Sequence, residues 1–231
     1  MDFLKEKLKN KGILIAAHQG TFGGNICTNT ISSGKNALLH GADIIEADVT
    51  RDLDGVLYMF HDAHEPFNFG SEKHIPEMHS HEVESLRGFN ANGERKTVGP
   101  DRLEDYLSYF RTQDCLINLD RCWDIWEQTI SASNKYGMLD RIIFKSPADT
   151  QDPLKYYDYV KHCGYRLNYM PIISKPEQAE QIFSLEVPVI GFEILYRTEN
   201  DALVSDEFIK MCRKRGLILW SNAICLSDTE I

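Results

Sequence analysis

The sequence has no apolar run approaching the roughly 20 residues that a membrane helix needs, and no basic-then-apolar leader at its start, so neither a stable membrane insertion nor a secretory signal is expected. CxxC pairs are absent too. The six cysteines are scattered at positions 27, 115, 122, 163, 212 and 225, several inside apolar runs, which fits buried thiols in a reduced, cytoplasmic setting rather than a disulfide frame or a zinc knuckle. Basic residues are in deficit: 25 Lys and Arg stand against 35 Asp and Glu, a net charge of −10, which disfavours nucleic acid and anionic membrane as partners. A small anionic substrate stays open, provided that local cations or a metal hold it. The chain carries no GxGxxG and no P-loop, so the usual cradles for dinucleotides and nucleoside triphosphates are excluded. It also has no internal repeat, low-complexity tract or Pro/Gly linker, and residues 1–231 are expected to form a single domain.

What the sequence does have is rhythm. Short apolar runs recur at 13–17 (ILIAA), 43–48 (DIIEAD), 115–119 (CLINL), 141–145 (RIIFK), 169–173 (YMPII), 187–193 (VPVIGFE) and 217–221 (LILWS). Near-continuous apolar runs of this length are the signature of strands buried on both faces of a parallel sheet. Between them lie helix candidates at 30–40, 102–110, 123–136, 153–163 and 206–215. Several begin after Asp101 or Ser205 and stop at Gly41, Gly137, Gly164 or Gly216, the expected asymmetry of caps. Alternating strand and helix imply βαβ units, and seven such strands favour an α/β TIM barrel over an open doubly wound sheet. A closing eighth strand of the barrel is not recognisable after Asn222, and the given chain is expected to lack it.

One segment breaks the rhythm. Asp54-Gly55 is a strong hairpin signal, so the second strand is expected to overshoot, turn, and return antiparallel, carrying His61 back to the level of Glu46 and Asp48. Residues from about 50 to 100 then form an insertion, with a short helix near 76–87.

In a TIM barrel the chemistry sits at the C-terminal ends of the strands. Polar residues occur at nearly every such end: His18-Gln19, Glu46 and Asp48, Asn118 and Asp120, Lys145, Glu193, and Trp220-Ser221-Asn222. Glu46 and Asp48, two residues apart on one strand, face the same side. Two carboxylates in one cavity repel unless a cation holds them. With Asp120 they make an all-oxygen set that suits Mg²⁺ or Ca²⁺ better than Zn²⁺; the plain alternative is an E-x-D pair on an exposed strand. His18 and His61 flank this set, and imidazoles titrating near neutrality can share acid and base work in a displacement. A lone histidine at a strand end is more often structural, but two converging on three acids favour catalysis.

These residues resemble the glycerophosphodiester phosphodiesterase family. That family's ordered pattern is H-R-G, P-E-N-T, G-A-D-x-I-E-x-D-V, D-G and H-D; here it reads His18-Gln19-Gly20, Asn29-Thr30, Gly41-Ala42-Asp43-Ile44-Ile45-Glu46-Ala47-Asp48-Val49, Asp54-Gly55 and His61-Asp62. Asn118-Leu119-Asp120 falls where the family has N-I-E, and Leu219-Trp220-Ser221-Asn222 where it has a V-W-T-V-N variant. The resemblance spans residues 13 to 222. It implies a TIM-barrel enzyme that hydrolyses glycerophosphodiesters to glycerol 3-phosphate and an alcohol. Carried over, His18 and His61 are the acid/base pair, Glu46, Asp48 and Asp120 bind the divalent metal, and Trp220 packs on the glycerol or alcohol portion. Gln19, Lys145 and Glu193 join Trp220 as candidate substrate contacts.

The departures bear on charge. Gln19 replaces the arginine of H-R-G, Cys27 and Thr28 replace the first two residues of P-E-N-T, Asp120 is one methylene shorter than the family's glutamate, and Cys122 stands where the family has lysine. Two cations that would face phosphate are therefore gone. Three carboxylates and a doubly charged ion leave one net negative charge, and a phosphodiester adds another, a repulsion that needs compensation. Lys145 can supply it as a relocated phosphate clamp, or can instead be salt-bridged to Asp120 or Glu193; Arg121 is a further candidate, although its parity relative to Asp120 points it outward. The Asp at the third ligand position is also similar to sphingomyelinase D-type phospholipases D, which cyclise the phosphate instead of hydrolysing it. A non-catalytic ligand-binding relative and a Schiff-base aldolase on Lys145 are the readings from other classes. His64, His74, His79 and His81 read as polar loop residues of the insertion, with a His79-Ser80-His81 zinc contact as the minor alternative, and the Tyr156, Tyr157, Tyr159 run as packing.

Overall fold

The computed structural model describes residues 3–90 and 92–222. The chain divides into two compact units, with the boundary after Ile143. The first contains, in order, α1 (Phe3–Lys11), β1 (Ala16–Ala17), α2 (Ile31–Leu39), β2 (Ile44–Arg51), β3 (Leu57–Met59), α3 (Glu65–Phe69), α4 (Ser80–Ser85), α5 (Leu103–Phe110), β4 (Leu116–Asp120), α6 (Trp126–Lys135) and all but the last residue of β5 (Ile142–Phe144). Its sheet runs β1-β2-β4-β5, with β1 and β4 both parallel to β2.

β2 is buried over all but its last residue, as its apolar composition requires. Its odd positions face the helices: the Ile45 side chain lies 3.2 Å from where a Cβ on Gly34 of α2 would sit. Gly34 is itself compulsory, because that Cβ would come within 2.6 Å of the Phe110 ring on α5. Ile45, Ala47, Ile117, Leu119, Tyr106, Leu107 and Phe110 are all fully or almost fully buried. Each large side chain among them contributes roughly 1.5–3 kcal/mol of transfer free energy. The even positions of β2 must then face away from α2, which fixes the side on which Glu46 and Asp48 stand.

The expected hairpin is present. β3 returns antiparallel to β2, pairing Val49 with Met59 and Arg51 with Leu57, and the Phe60 amide extends the ladder to the Asp48 carbonyl at 3.0 Å. The insertion has a small core of its own, formed by Tyr58, Phe60, Phe69, Ile75, Met78 and Val83. In place of one helix near 76–87 there is a 3-10 turn (Ile75–Glu77) followed by α4, because His79 leaves the helical path at φ −81°, ψ 157° to cap the second piece.

The second unit contains α7 (Leu154–His162), β6 (Asn168–Tyr169), β7 (Ile172–Ile173), α8 (Pro176–Ser184), β8 (Gly191–Ile194), α9 (Asp206–Lys214) and β9 (Ile218–Ser221). β7, β8 and β9 form a parallel three-stranded sheet. The run expected as one strand at 169–173 is split at Pro171, which lacks the amide that a continuous ladder needs. Helix α8 had no counterpart in the sequence reading, yet it carries Pro176 at its first position, and the Gln178 side chain reaches back to accept the Lys175 amide at 3.0 Å. The expectation about an eighth strand concerns residues after Asn222, outside the described residues.

Candidate functional site

The first unit carries the acids and the histidines. In the parallel register of β2 and β4, Glu46 stands beside Asn118 and Asp48 beside Asp120. Strand alternation therefore puts four oxygen-bearing side chains on one side of two adjacent strands. Glu46, Asp48 and Asn118 are buried, and Asp120 is half-buried.

A loop of left-handed residues closes over this row. Gln19 and Asn29 both have φ 54°, and the Asn29 amide donates to the Gln19 carbonyl at 3.1 Å. The Gln19 backbone amide donates to Glu46 Oε2 at 2.8 Å, while its side-chain Nε2 donates to Asp48 Oδ2, also at 2.8 Å. Asn29 doubles the tie: Nδ2 donates to Asp48 Oδ2 at 3.0 Å and Oδ1 accepts from the Asp48 amide at 2.9 Å. Where an arginine would bring a charge, Gln19 brings a neutral amide, so Asp48 is oriented without being neutralised. Gly20, at φ 76°, has no room for a Cβ, which would lie 2.6 Å from Ser33 Oγ; the turn after His18-Gln19 thus depends on glycine.

His18 places Nε2 3.9 Å from Glu46 Oε2, with 60% of its side chain exposed to solvent. His61 follows directly on the β3 return. Its Nδ1 lies 2.7 Å from the Asp62 carbonyl. A carbonyl only accepts, so in the neutral ring Nδ1 holds the proton and Nε2 presents its lone pair. His64 stacks on His61, with ring centroids 3.9 Å apart and planes within 15°. Burial and the neighbouring His61 hold the His64 imidazole below its usual range, helped by Arg121 and opposed by Asp48 and Glu65. His64 was read from sequence as a loop residue; its i, i+3 spacing from His61 was the available signal.

At the end of β4 the Asp120 Oδ1 accepts the Arg121 amide at 2.8 Å. Arg121 itself is left-handed, at φ 53°, so strand parity does not set its direction. Cys122 is fully buried and its Sγ donates to the Leu119 carbonyl at 3.2 Å; burial pushes its thiol far above the ordinary range, so it acts neither as a cation nor as a thiolate.

For a divalent ion, the donor chemistry fits. Glu46, Asp48 and Asp120 offer hard oxygens, and beside Glu46 the buried Asn118 Oδ1 has no hydrogen-bond partner among the described residues, while its Nδ2 donates to the Ile143 carbonyl at 3.3 Å. A buried acceptor without a donor, next to a carboxylate, is an environment that suits a cation. A second grouping lies in the insertion: ligand atoms of Asp62, Glu65 and His74 fall within 4.8 Å of one another. Both Glu65 oxygens there are engaged, Oε1 by the Ile75 amide at 2.8 Å and Oε2 by His74 Nδ1 at 2.9 Å, so this carboxylate pins the loop between α3 and α4. His79, weighed as a zinc contact, is bonded to Asp54 at 2.8 Å.

The remaining expected site residues belong to the second unit. Lys145, 1% exposed, has Nζ 2.6 Å from Glu193 Oε2 and 3.5 Å from the centroid of the Trp220 ring. Glu193 Oε1 accepts from Asn222 Nδ2 at 2.7 Å, and Asn222 Oδ1 accepts from Trp220 Nε1 at 3.0 Å. Lysine, glutamate, asparagine and tryptophan thus close a ring of contacts, built on the β8–β9 pairing of Glu193 with Trp220. Of the two alternatives for Lys145, the geometry is that of the ion pair to Glu193.

Comparison with known proteins places these features. The profile of the glycerophosphoryl diester phosphodiesterase family matches residues 18–165. No protein of curated function matches the chain. Among solved structures, a glycerophosphoryl diester phosphodiesterase from Parabacteroides distasonis superposes with a TM-score of 0.73 at 17% identity, covering 89% of this chain and 70% of that one. A glycerophosphodiester phosphodiesterase from Thermotoga maritima gives 0.69 at 18% identity, covering 92% and 87%. An Oleispira antarctica phosphodiesterase, solved with the product sn-glycerol-3-phosphate, gives 0.66 at 16% identity, covering 92% and 85%. At these identities the likeness is one of fold, the α/β TIM barrel expected from the strand–helix alternation. The profile match covers well over half of the sequence, from His18 through the E-x-D strand and past Asp120, and the chain belongs to the glycerophosphoryl diester phosphodiesterase family, whose members are phosphoric diester hydrolases.

Proposed function

We propose that this chain, as one catalytic domain over residues 1–231, hydrolyses glycerophosphodiesters to glycerol 3-phosphate and an alcohol, with His18 and His61 as the acid/base pair. The single observation that carries the reading is the convergence in one unit of buried Glu46 and Asp48, Asp120 in register beside them, His18 at 3.9 Å from Glu46, and His61 delivered by the β3 return to the level of Asp48.

Glu46, Asp48 and Asp120 are the residues that would hold a divalent cation, Mg²⁺ or Ca²⁺ by the hardness of the ligands. Such an ion, when bound, polarises a non-bridging phosphate oxygen and offsets the charge that develops there. The chain's own residues do the rest. The Gln19 and Asn29 amides keep Asp48 aimed, since two side chains share its Oδ2. One imidazole takes the proton of the attacking water as its oxygen bonds to phosphorus, and the other gives a proton to the alkoxide as the second P–O bond breaks. The Asp62 carbonyl holds the His61 proton on Nδ1 and leaves Nε2 for that exchange.

The test is turnover of a panel of glycerophosphodiesters with Mg²⁺ or Ca²⁺, with and without chelator, for wild type, His18→Ala and His61→Ala. Loss of turnover on chelation and in both variants is expected. Binding without turnover in the wild type overturns the reading in favour of a ligand-binding relative. A cyclic phosphate in the phosphorus NMR spectrum replaces hydrolysis with phosphotransfer to an internal hydroxyl.

A further inference from the structure

The charge balance of the site leaves a role unfilled. Three carboxylates with one divalent ion and one phosphodiester carry two net negative charges, and Gln19 and Cys122 bring no cation. Lys145 is committed: it is buried, ion-paired with Glu193 and capped by Trp220.

Arg121 is differently placed. It is exposed at the carboxyl end of β4, next in sequence to Asp120, and among the described residues it makes no ion pair. Its guanidinium lies over Trp123, 5.9 Å from the ring centroid, a weak contact that leaves its in-plane donors available. Asp120, its neighbour in sequence, stands beside Asp48 in the β2–β4 register, so Arg121 leaves the sheet at the same strand end as the acids. The backbone is also unusual. A φ of 53° is a left-handed conformation that non-glycine residues rarely adopt, and it is held by the Asp120 carboxylate accepting the Arg121 amide. Strain kept at the end of a barrel strand is a marker of function.

We propose that Arg121 is the phosphate-binding residue of this site, its planar fork of donors taking the non-bridging oxygens of the phosphoryl group in place of the missing cations. The proposal rests on the phosphodiesterase reading for the substrate's identity, but phosphate binding can be measured without turnover.

The experiment is isothermal titration calorimetry of the whole chain in Mg²⁺ with glycerol 3-phosphate and, separately, inorganic phosphate. Arg121→Asn is the main variant, because asparagine tolerates the left-handed backbone while removing the guanidinium, charge and fork together. Arg121→Lys keeps the charge without the fork. Tenfold or greater weakening of both ligands in Arg121→Asn is expected, with Arg121→Lys between it and wild type, an unchanged melting temperature, and a rise in KM for the diester that exceeds the fall in kcat. Binding by Arg121→Asn within twofold of wild type overturns the proposal, as does a wild type that binds neither ligand. Wild-type binding that depends on Arg121 in a protein without turnover leaves the clamp standing and removes the hydrolase.

Discussion

Replacing Lys145 with methionine separates two meanings of a lysine at a strand end. If it serves mainly to compensate Glu193, its removal strands a carboxylate that is itself 6% exposed. Breaking a buried ion pair from one side costs about 3–5 kcal/mol. The loss of the contact between Nζ and the Trp220 ring, at 3.5 Å, adds in the same direction. For a chain of this size each kcal/mol moves the midpoint by roughly 2–4 °C, so Lys145→Met is expected to melt roughly 6–20 °C lower. The double variant Lys145→Met/Glu193→Leu removes both charges and is expected to recover most of that loss, because well-packed apolar replacements of buried ion pairs are often neutral. The residual deficit is about 1 kcal/mol, from the Asn222 amide that loses Glu193 Oε1. Urea titration followed by circular dichroism, with equal slopes for the three proteins, gives the free energies. A single variant within about 1 kcal/mol of wild type that instead raises KM several-fold would refute this reasoning and return Lys145 to the substrate.

Other outcomes follow from the same geometry. Asn29→Ala removes two hydrogen bonds to Asp48 and puts alanine at φ 54°, and is expected to cost about 2–4 kcal/mol by chemical denaturation. His61→Ala is expected to lower kcat by roughly 10²–10⁴ with little change in melting temperature, since its ring is only half-buried. Stability of the insertion should depend on pH. Glu65 raises the His74 imidazole, and Asp54 raises that of His79, above the ordinary 6.5, so their pairing is fully present below pH 6.5 and is lost as pH rises through the folded values. Asp54, held at about 2 by the Ser80 amide and His79 against an ordinary 3.8, contributes above 3.8 and is lost as pH falls towards 2. Hydrogen exchange at the Ile75 and Ser80 amides should therefore be slowest, relative to intrinsic rates, between about pH 4 and 6.5, and His74→Gln should flatten the alkaline side.

Much of this was legible in the sequence because the signals were local. Apolar runs marked β2 and β4, Asp54-Gly55 marked the hairpin, and the two-residue spacing of Glu46 and Asp48 marked a shared face. What escaped was set by backbone conformation and by distant partners. Arg121 was judged from strand parity, which a left-handed residue does not obey. The bond from Gln19 Nε2 to Asp48, a partner 29 positions away, has no signature in local spacing. Lys145 had two candidate partners in sequence, and only packing selects Glu193. The strand expected at 13–17 shrinks to β1, with Ile13 and Ile15 exposed, because neighbouring strands rather than composition decide how far a ladder extends.

The pairing of β2 with β4, one residue to one residue, makes the row of oxygens collective. Substituting any one of Glu46, Asp48, Asn118 or Asp120 degrades it by a single group. Losing a codon between Ile44 and Asp48 instead turns the alternation over and points Ile45 and Ala47 where the acids were. Evolution can therefore tune these strands by replacement but not by length. The exposed turn at Gly23 and Gly24, closed on itself by the Gly23–Ile26 backbone pair, is where insertions and deletions of this chain are free to accumulate.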